Sequence, residues 1–247
     1  MRWFLMLVLC GLIASLTSAS EKEQPNQPLR VCILSGCDTY HSEKSLPPFQ
    51  KFLEENYDVR ATRVVRKPEN DLPGLEQLDD CDVALVFIKR MQLDGEQLDR
   101  FKKYAMSGRP IVAVRTASHA VQTWLEFDRE VLGGNYSSHH DKGPVTRIEV
   151  VAGAEDHPIL KGVKLLEAPD PLYKNAGHAK DINILLRGAI PGAPDEPLAW
   201  TRDYKRGRIF YTSLGSEETF EKPDFRRMLA NALFWTARRD VDEKAGQ

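Results

Sequence analysis

What the sequence holds little of narrows its chemistry first. Of 247 residues only four are cysteine and six histidine, and the formal charge is −2. With no basic excess to neutralise phosphates, the chain is a poor nucleic-acid binder. No pair of its cysteines has zinc-ligand spacing. No G-x-S-x-G turn is present, which argues against a serine hydrolase of that design. Long apolar runs are missing too. The continuous one from Trp3 to Leu16 is shorter than the roughly 20 residues of a comfortable membrane span.

What is there begins with an address. "MRWFLMLVLCGLIASLTSAS" joins a positive Arg2, an apolar run, and small residues at Ser18, Ala19 and Ser20. This is the pattern of a secretory signal over residues 1–20, so the expected location is periplasmic or extracellular, with no stable membrane span after cleavage. Export permits disulfides. The mature chain would keep Cys32, Cys37 and Cys81, an odd set that leaves at least one thiol free. Cys37 is expected at the far end of the first strand and Cys81 just before the third. At ~3.3 Å per residue that separates them by about 20 Å, far beyond the Cα spacing of about 7 Å that a disulfide tolerates.

Residues 21–28 are polar and proline-containing, a flexible lead-in, and residues 240–247 form a charged tail expected to be disordered. Between them the chain is 29–239, with no linker that would split it. "LRVCILSG" is a short, mostly apolar run ending in glycine, as a buried parallel strand should look, "VRATRVV" is a second strand, and "DVALVFI" a third, the most uniformly apolar of all. "SLPPFQKFLEENY" presents Leu46, Phe49, Phe52 and Leu53 on one helical face, its prolines placed in a first turn. "DGEQLDRFKKYAMSG" is a second amphipathic helix, with Asp94 as its cap and Gly108 ending it. "RPIVAVRTASHAVQTW" gives strand, sharp turn and helix. Four strands then follow in close succession, with a hairpin turn at Lys205 to Gly207. The last helix, "PDFRRMLANALFWTARR", turns Phe225, Met228, Leu229, Ala232, Leu233 and Trp235 inward. Alternating strands and helices imply an α/β fold, a three-layer αβα sandwich on a mostly parallel sheet. Ligands of such sheets bind beyond the strand carboxyl ends, near a switch in strand order.

"RTASHAV", "VLGGNYSSHHDKGPVT", "HPILKGV", "PLYKN", "PLAWTRDYKRGRIFYTSLGS" and "RRMLANALFWTA" resemble the ThuA-like (trehalose-utilisation) family, within the class I glutamine-amidotransferase-like superfamily. The resemblance covers Leu29 to about Arg239. It implies a flavodoxin-like αβα fold and carbohydrate metabolism, with 3-keto-sugars or related glycosides as ligands. Class I amidotransferases carry a nucleophilic cysteine on the strand–helix turn and a histidine after a late strand. Here Arg115 stands at the first place and Ser216 at the second. Arginine stays protonated and cannot attack, so glutaminase activity through a cysteine–histidine pair is not expected.

The candidate site residues follow from loop position. Arg115 ends a buried strand and needs a partner. It is either a catalytic fork for an oxygen that gains charge or one half of an internal ion pair with Glu217 or Asp38. Asp38 and His41 follow the first strand, and Ser118 and His119 open the segment after Arg115. Their plainer readings are an Asx turn, an exposed histidine and a helix cap. Lys89 and Arg90 would add positive charge to the rim, and Tyr173 is a stacking platform or a packed aromatic. His157 lies in "EDHPIL", a turn before a short helix, and His178 in "NAGHAK", an exposed loop. His139, His140 and Asp141 are the most suggestive group. Alternate residues of an extended segment face one way, so His139 and Asp141 share a side that His140 does not. One histidine is expected in the cleft, moving a proton as imidazoles do near neutral pH. The other is expected to anchor the loop. A divalent metal such as zinc is the cofactor these donors would suit, with His140 and His119 its first ligands. The expected partner is a small carbohydrate, and a homo-oligomer is left open. The competing reading is a non-catalytic carbohydrate-binding or interaction protein.

Overall fold

The computed structural model of the protein describes residues 27–244. The signal reading of residues 1–20, and the lead-in up to residue 26, lie outside the described residues. The first half alternates β1 (Leu29–Gly36), α1 (Ser42–Asn56), β2 (Val59–Val65), α2 (Gln77–Asp80), β3 (Val83–Ile88), α3 (Gly95–Met106) and β4 (Ile111–Val114). The second half adds β5 (Ser138–His139), β6 (Thr146–Val150), β7 (Glu167–Ala168), β8 (Tyr173–Lys174), β9 (Ile182–Ala189), β10 (Glu196–Tyr204), β11 (Gly207–Thr212), α4 (Glu217–Glu221) and α5 (Pro223–Thr236).

One nine-stranded sheet runs in the order β2-β1-β3-β4-β11-β10-β9-β6-β7. The strands from β2 to β11 are parallel, and β10, β9, β6 and β7 continue antiparallel. Strand alternation builds the two cores. Val31, Ile33, Val83, Leu85 and Phe87 pack with α1 and α5 on one face, while Cys32, Leu34, Ala84, Val86 and Ile88 pack with α3 on the other. This is the αβα sandwich that uniformly apolar strands require, because a strand covered on both sides has no polar face to show. Order reverses at β1, which sends β2 to one side and β3 to the other. The loops after β1, β3, β4 and β11 all leave from that same carboxyl end.

Several local expectations change. Helix α1 starts at Ser42, so Pro47 and Pro48 sit in its interior rather than its first turn. Asp94 precedes α3 but makes no side-chain cap bond. After β4 there is no α-helix. Arg115–His119 form a tight 3-10 turn, and the next helical segment, Phe127–Leu132, is a π-helix. Trp235 is half-exposed, and Phe234 takes the buried place expected of it. The tail expected to be free from Asp240 is held as far as Lys244. Glu243 bridges to Tyr57 and ion-pairs with Arg227 at 2.8 Å, and the Lys244 N–H donates to the Asn56 carbonyl. Cys32, Cys37 and Cys81 are buried free thiols. Among the described residues no helix is long and apolar enough to cross a membrane.

Candidate functional site

The turn after β4 sets the centre of the site. Arg115 takes a left-handed backbone, φ 47°, at the strand end. A non-glycine residue there costs on the order of 1–2 kcal/mol, and such strain collects at functional turns. Its side chain is fully buried. Nη1 lies 3.0 Å from Oδ1 of Asp170, itself 1% exposed, and also donates to the Ser213 carbonyl. Nη2 donates to the Tyr40 hydroxyl at 2.9 Å and to the Pro171 carbonyl at 3.5 Å. The guanidinium is sandwiched between the rings of Tyr40, 4.0 Å away, and Tyr173, 4.6 Å away. Burial works against the charge, but Tyr173, Asp170 and Tyr40 outweigh it and hold the guanidinium more firmly protonated than usual.

Asp170 binds the end of β11 as well. Its Oδ1 accepts the N–H groups of Gly215 and Ser216 at 2.9 and 2.7 Å, and Oδ2 accepts the Ser216 and Thr219 hydroxyls. Gly215 is required by close approach, since a Cβ there would stand 2.6 Å from Val114. The expected ion-pair partners of Arg115 are therefore corrected. Asp38 pairs with Arg66 at 3.0 Å and Glu217 with Lys44 at 3.7 Å, both on the surface, where solvated carboxylates need no buried cation. The free fork is corrected too, because both Nη atoms are taken by protein and the residue is 0% exposed. Arg115 thus ties the β4 turn to Asp170, the Ser213 carbonyl and Tyr40.

Around this pair stand aromatic rings. His119 stacks on Tyr136, centroids 4.5 Å apart, and Tyr136 lies 4.5 Å from Tyr173. Ser118 is within 3.0 Å of Nδ1 of His119, inside the turn rather than at a helix start. Burial first, then Arg90, Lys89 and Arg115, push the His119 pKa down to about 3, so the ring is neutral. His41 is absent from this group. It is left-handed and half-exposed, with Nδ1 3.2 Å from Glu43, because its own backbone begins α1.

The two adjacent histidines point apart. Ser138 and His139 pair with Lys174 and Tyr173 in a short antiparallel ladder. Residues directly opposite in such a ladder project to one side, so His139 stands beside Tyr173 at the edge of the ring cluster. Its Nδ1 donates to the His140 carbonyl at 2.7 Å, which in a neutral ring leaves Nε2 as the proton acceptor. His140 turns inward, and its Nε2 donates to Glu196 at 3.0 Å, while the other Glu196 oxygen accepts the Asn175 N–H. The glycines before them have their own cause. Asp128 lies under Gly134, where a Cβ would fall 2.3 Å from Oδ1, and its Oδ2 accepts the Tyr136 N–H at 2.8 Å. Burial raises the Asp128 pKa to about 6.

Among the described residues no three His, Cys, Asp or Glu side chains gather as a metal site would need. His140 and His119 are thus not assembled into the expected ligand set. His140 spends Nε2 on a carboxylate, and His119 is stacked on Tyr136. His157 caps Ile159 and packs on Trp235, and His178 bonds the neighbouring Ala179 carbonyl. The large surface depressions lie away from this site. One of about 1310 Å³, lined in part by Arg208, Trp235 and Arg238, is at the opposite end of the sheet. Tyr40, Tyr136, Asp170, Asn175 and Glu196 were missed by sequence reasoning. The proline-bounded Pro169-Asp170-Pro171 was the one local signal for any of them.

A comparison with curated sequences found no match. Solved structures do match. A protein described as ThuA-like from Parabacteroides merdae superposes with a TM-score of 0.68 at 20% identity, over 90% of this chain and 94% of that one. A ThuA-like protein from Bacteroides uniformis gives 0.67 at 18% identity, over 88% and 95%. The β-galactosidase of Bacillus circulans gives 0.56 at 12%, over 85% of this chain but 31% of the enzyme, a likeness of fold alone. The family model described as ThuA, trehalose utilisation, matches residues 30–236, and with the αβα sheet and its occupied elbow in view, the chain belongs to the ThuA family and to its carbohydrate-associated setting.

Proposed function

We propose that the protein binds a carbohydrate, a 3-keto-sugar or a glycoside, at the carboxyl end of the parallel strands and converts it by acid–base chemistry at His139. The observation that carries this is the pairing of His139 directly across from Tyr173, with its tautomer set by the His140 carbonyl. The free Nε2 would take a proton from a sugar hydroxyl, or from the carbon beside a keto group, and return it later in the reaction. His140, held by Glu196, keeps the loop in place. Arg115 and Asp170 tie the β4 turn to the β11 loop. Asp38, His41 and Glu217 lie on the surface outside this arrangement. Ser118, His119 and Tyr173 remain within it.

A second reading has its own support. The elbow that holds a nucleophile in amidotransferases is filled by a fully buried guanidinium, which suits a protein that binds without converting. The two readings separate on incubation with 3-keto-glycosides. Turnover lost in His139→Ala supports catalysis, whereas binding without conversion supports the second. Neither binding nor turnover would refute both. The signal-like residues 1–20 support export, and the N-terminal sequence of the protein recovered from a periplasmic or culture fraction would test it.

A further inference from the structure

Three carboxylates near the mouth of the site already have a cation: Asp170 has Arg115, Asp38 has Arg66 and Glu217 has Lys44. Lys89 and Arg90, which follow β3 beside the point where strand order reverses, have no carboxylate within ion-pair distance among the described residues. Lys89 reaches across to the β1 loop, where its Nζ donates to the Thr39 hydroxyl at 2.6 Å. Arg90 is exposed and left-handed, φ 48°, with its N–H donating to the His119 carbonyl at 2.9 Å. The left-handed backbone and the bond to the His119 carbonyl fix where Arg90 leaves the loop, next to a residue of the site. His119 does not share that charge, since its environment keeps the ring neutral. Positive potential therefore stands beside a half-buried Tyr136 and a neutral imidazole.

We infer that the ligand is a sugar bearing a negative group, a carboxylate or a phosphate ester, gripped at that group by Lys89 and Arg90 while its ring meets Tyr136 and His119. This rests on the carbohydrate reading above and deepens it. An arginine fork matches either anion in two parallel hydrogen bonds, and a lysine adds a point charge. Neutral sugars would leave both cations unanswered.

Titration calorimetry on the full chain tests this with D-glucuronate, D-glucose 6-phosphate and D-glucose, and with acetate and inorganic phosphate as anions without a sugar. Measurements at about 20 mM and about 200 mM salt exploit the screening of exposed charges. At least one charged sugar should bind about tenfold or more tighter than glucose at low salt, as charge-assisted hydrogen bonds would provide. That advantage should shrink at high salt. Whichever charged sugar leads identifies the anionic group. In Arg90→Asn, which tolerates the left-handed backbone, and in Lys89→Gln, the ratio over glucose should collapse toward one. Thermal melting would confirm that both variants fold. Glucose binding as well as the charged sugars would overturn this inference and leave the carbohydrate reading standing. Acetate or phosphate binding as well as the sugars would instead sink the carbohydrate reading. No binding by any of them would overturn this inference, while the incubation with 3-keto-glycosides tests the carbohydrate reading separately.

Discussion

The guanidinium of Arg115 and the carboxylate of Asp170 meet at 3.0 Å with neither side chain more than 1% exposed. They come from positions 55 residues apart, and between them they fasten the β4 turn to the first residues of α4. Removing one partner of such a pair leaves the other charge buried without compensation, which costs about 3–5 kcal/mol. Asp170→Ala should therefore lose about that much stability in urea denaturation. Arg115→Met combined with Asp170→Asn removes the charge and keeps an acceptor for the Gly215 and Ser216 N–H groups. The double variant should be more stable than Asp170→Ala. If the two unfold at the same urea concentration, the pair is not the brace described.

Glutamine should not be hydrolysed. The elbow residue is Arg115, and the nearest thiol on the site loops, Cys37, is buried with its pKa pushed up by that burial, away from the reactive thiolate. An ammonia-release assay with millimolar glutamine should stay at background. Activity that vanished in Cys37→Ser would contradict this.

Much of the fold was legible because burial on both faces leaves the central strands almost no polar positions, and the edge strand β2 still buries Val59, Ala61 and Val64. "LRVCILSG" and "VRATRVV" are the residues of β1 and β2 without adjustment. The site was less legible. A buried arginine announces that it needs a partner but not which one, and Asp170 lies on a distant segment whose position only the folded sheet decides. Asp38 and Glu217 looked suitable by loop location, yet each had a surface cation closer at hand. The 3-10 turn after β4 was read as a helix because Ser118 and His119 carry good cap chemistry. The opening of α1 was misplaced for a related reason: its prolines suggested a first turn, though they sit further in.

His139 and His140 should respond differently to truncation. His140→Ala leaves the Glu196 carboxylate without its imidazole donor in a half-buried setting, so stability should fall by about 1–3 kcal/mol. His139→Ala removes a ring bonded only to a neighbouring carbonyl among the described contacts, and its melting temperature should hardly move. Sugar turnover, if His139 carries it, should fall by at least about a hundredfold. Equal thermal losses in both variants would mean that the loop does not divide their roles.

The last expectation concerns pH. Asp128 has its pKa raised by burial to about 6 in the folded chain, from 3.8 as an unfolded reference. Between those values the folded state holds a proton that the unfolded state has released, so this group makes the protein less stable as pH rises from about 4 to about 6. His119 acts in the opposite sense. Its pKa is depressed to about 3 from 6.5, so the stability it contributes is full above the unfolded value and is lost as pH falls. The two slopes overlap, and the wild-type profile alone would show only their difference. Asp128→Asn separates them, because an amide cannot titrate, keeps an oxygen for the Tyr136 N–H and leaves His119 untouched. The variant's gain over wild type should be larger at pH 7 than at pH 4, by about 3 kcal/mol at the two-unit shift. Tyr211, which acts on Asp128, has its pKa pushed up by burial and stays neutral across this window. Chemical denaturation of both proteins at each pH would measure the difference. A constant offset between them would show that the carboxylate beneath Gly134 is ionised throughout.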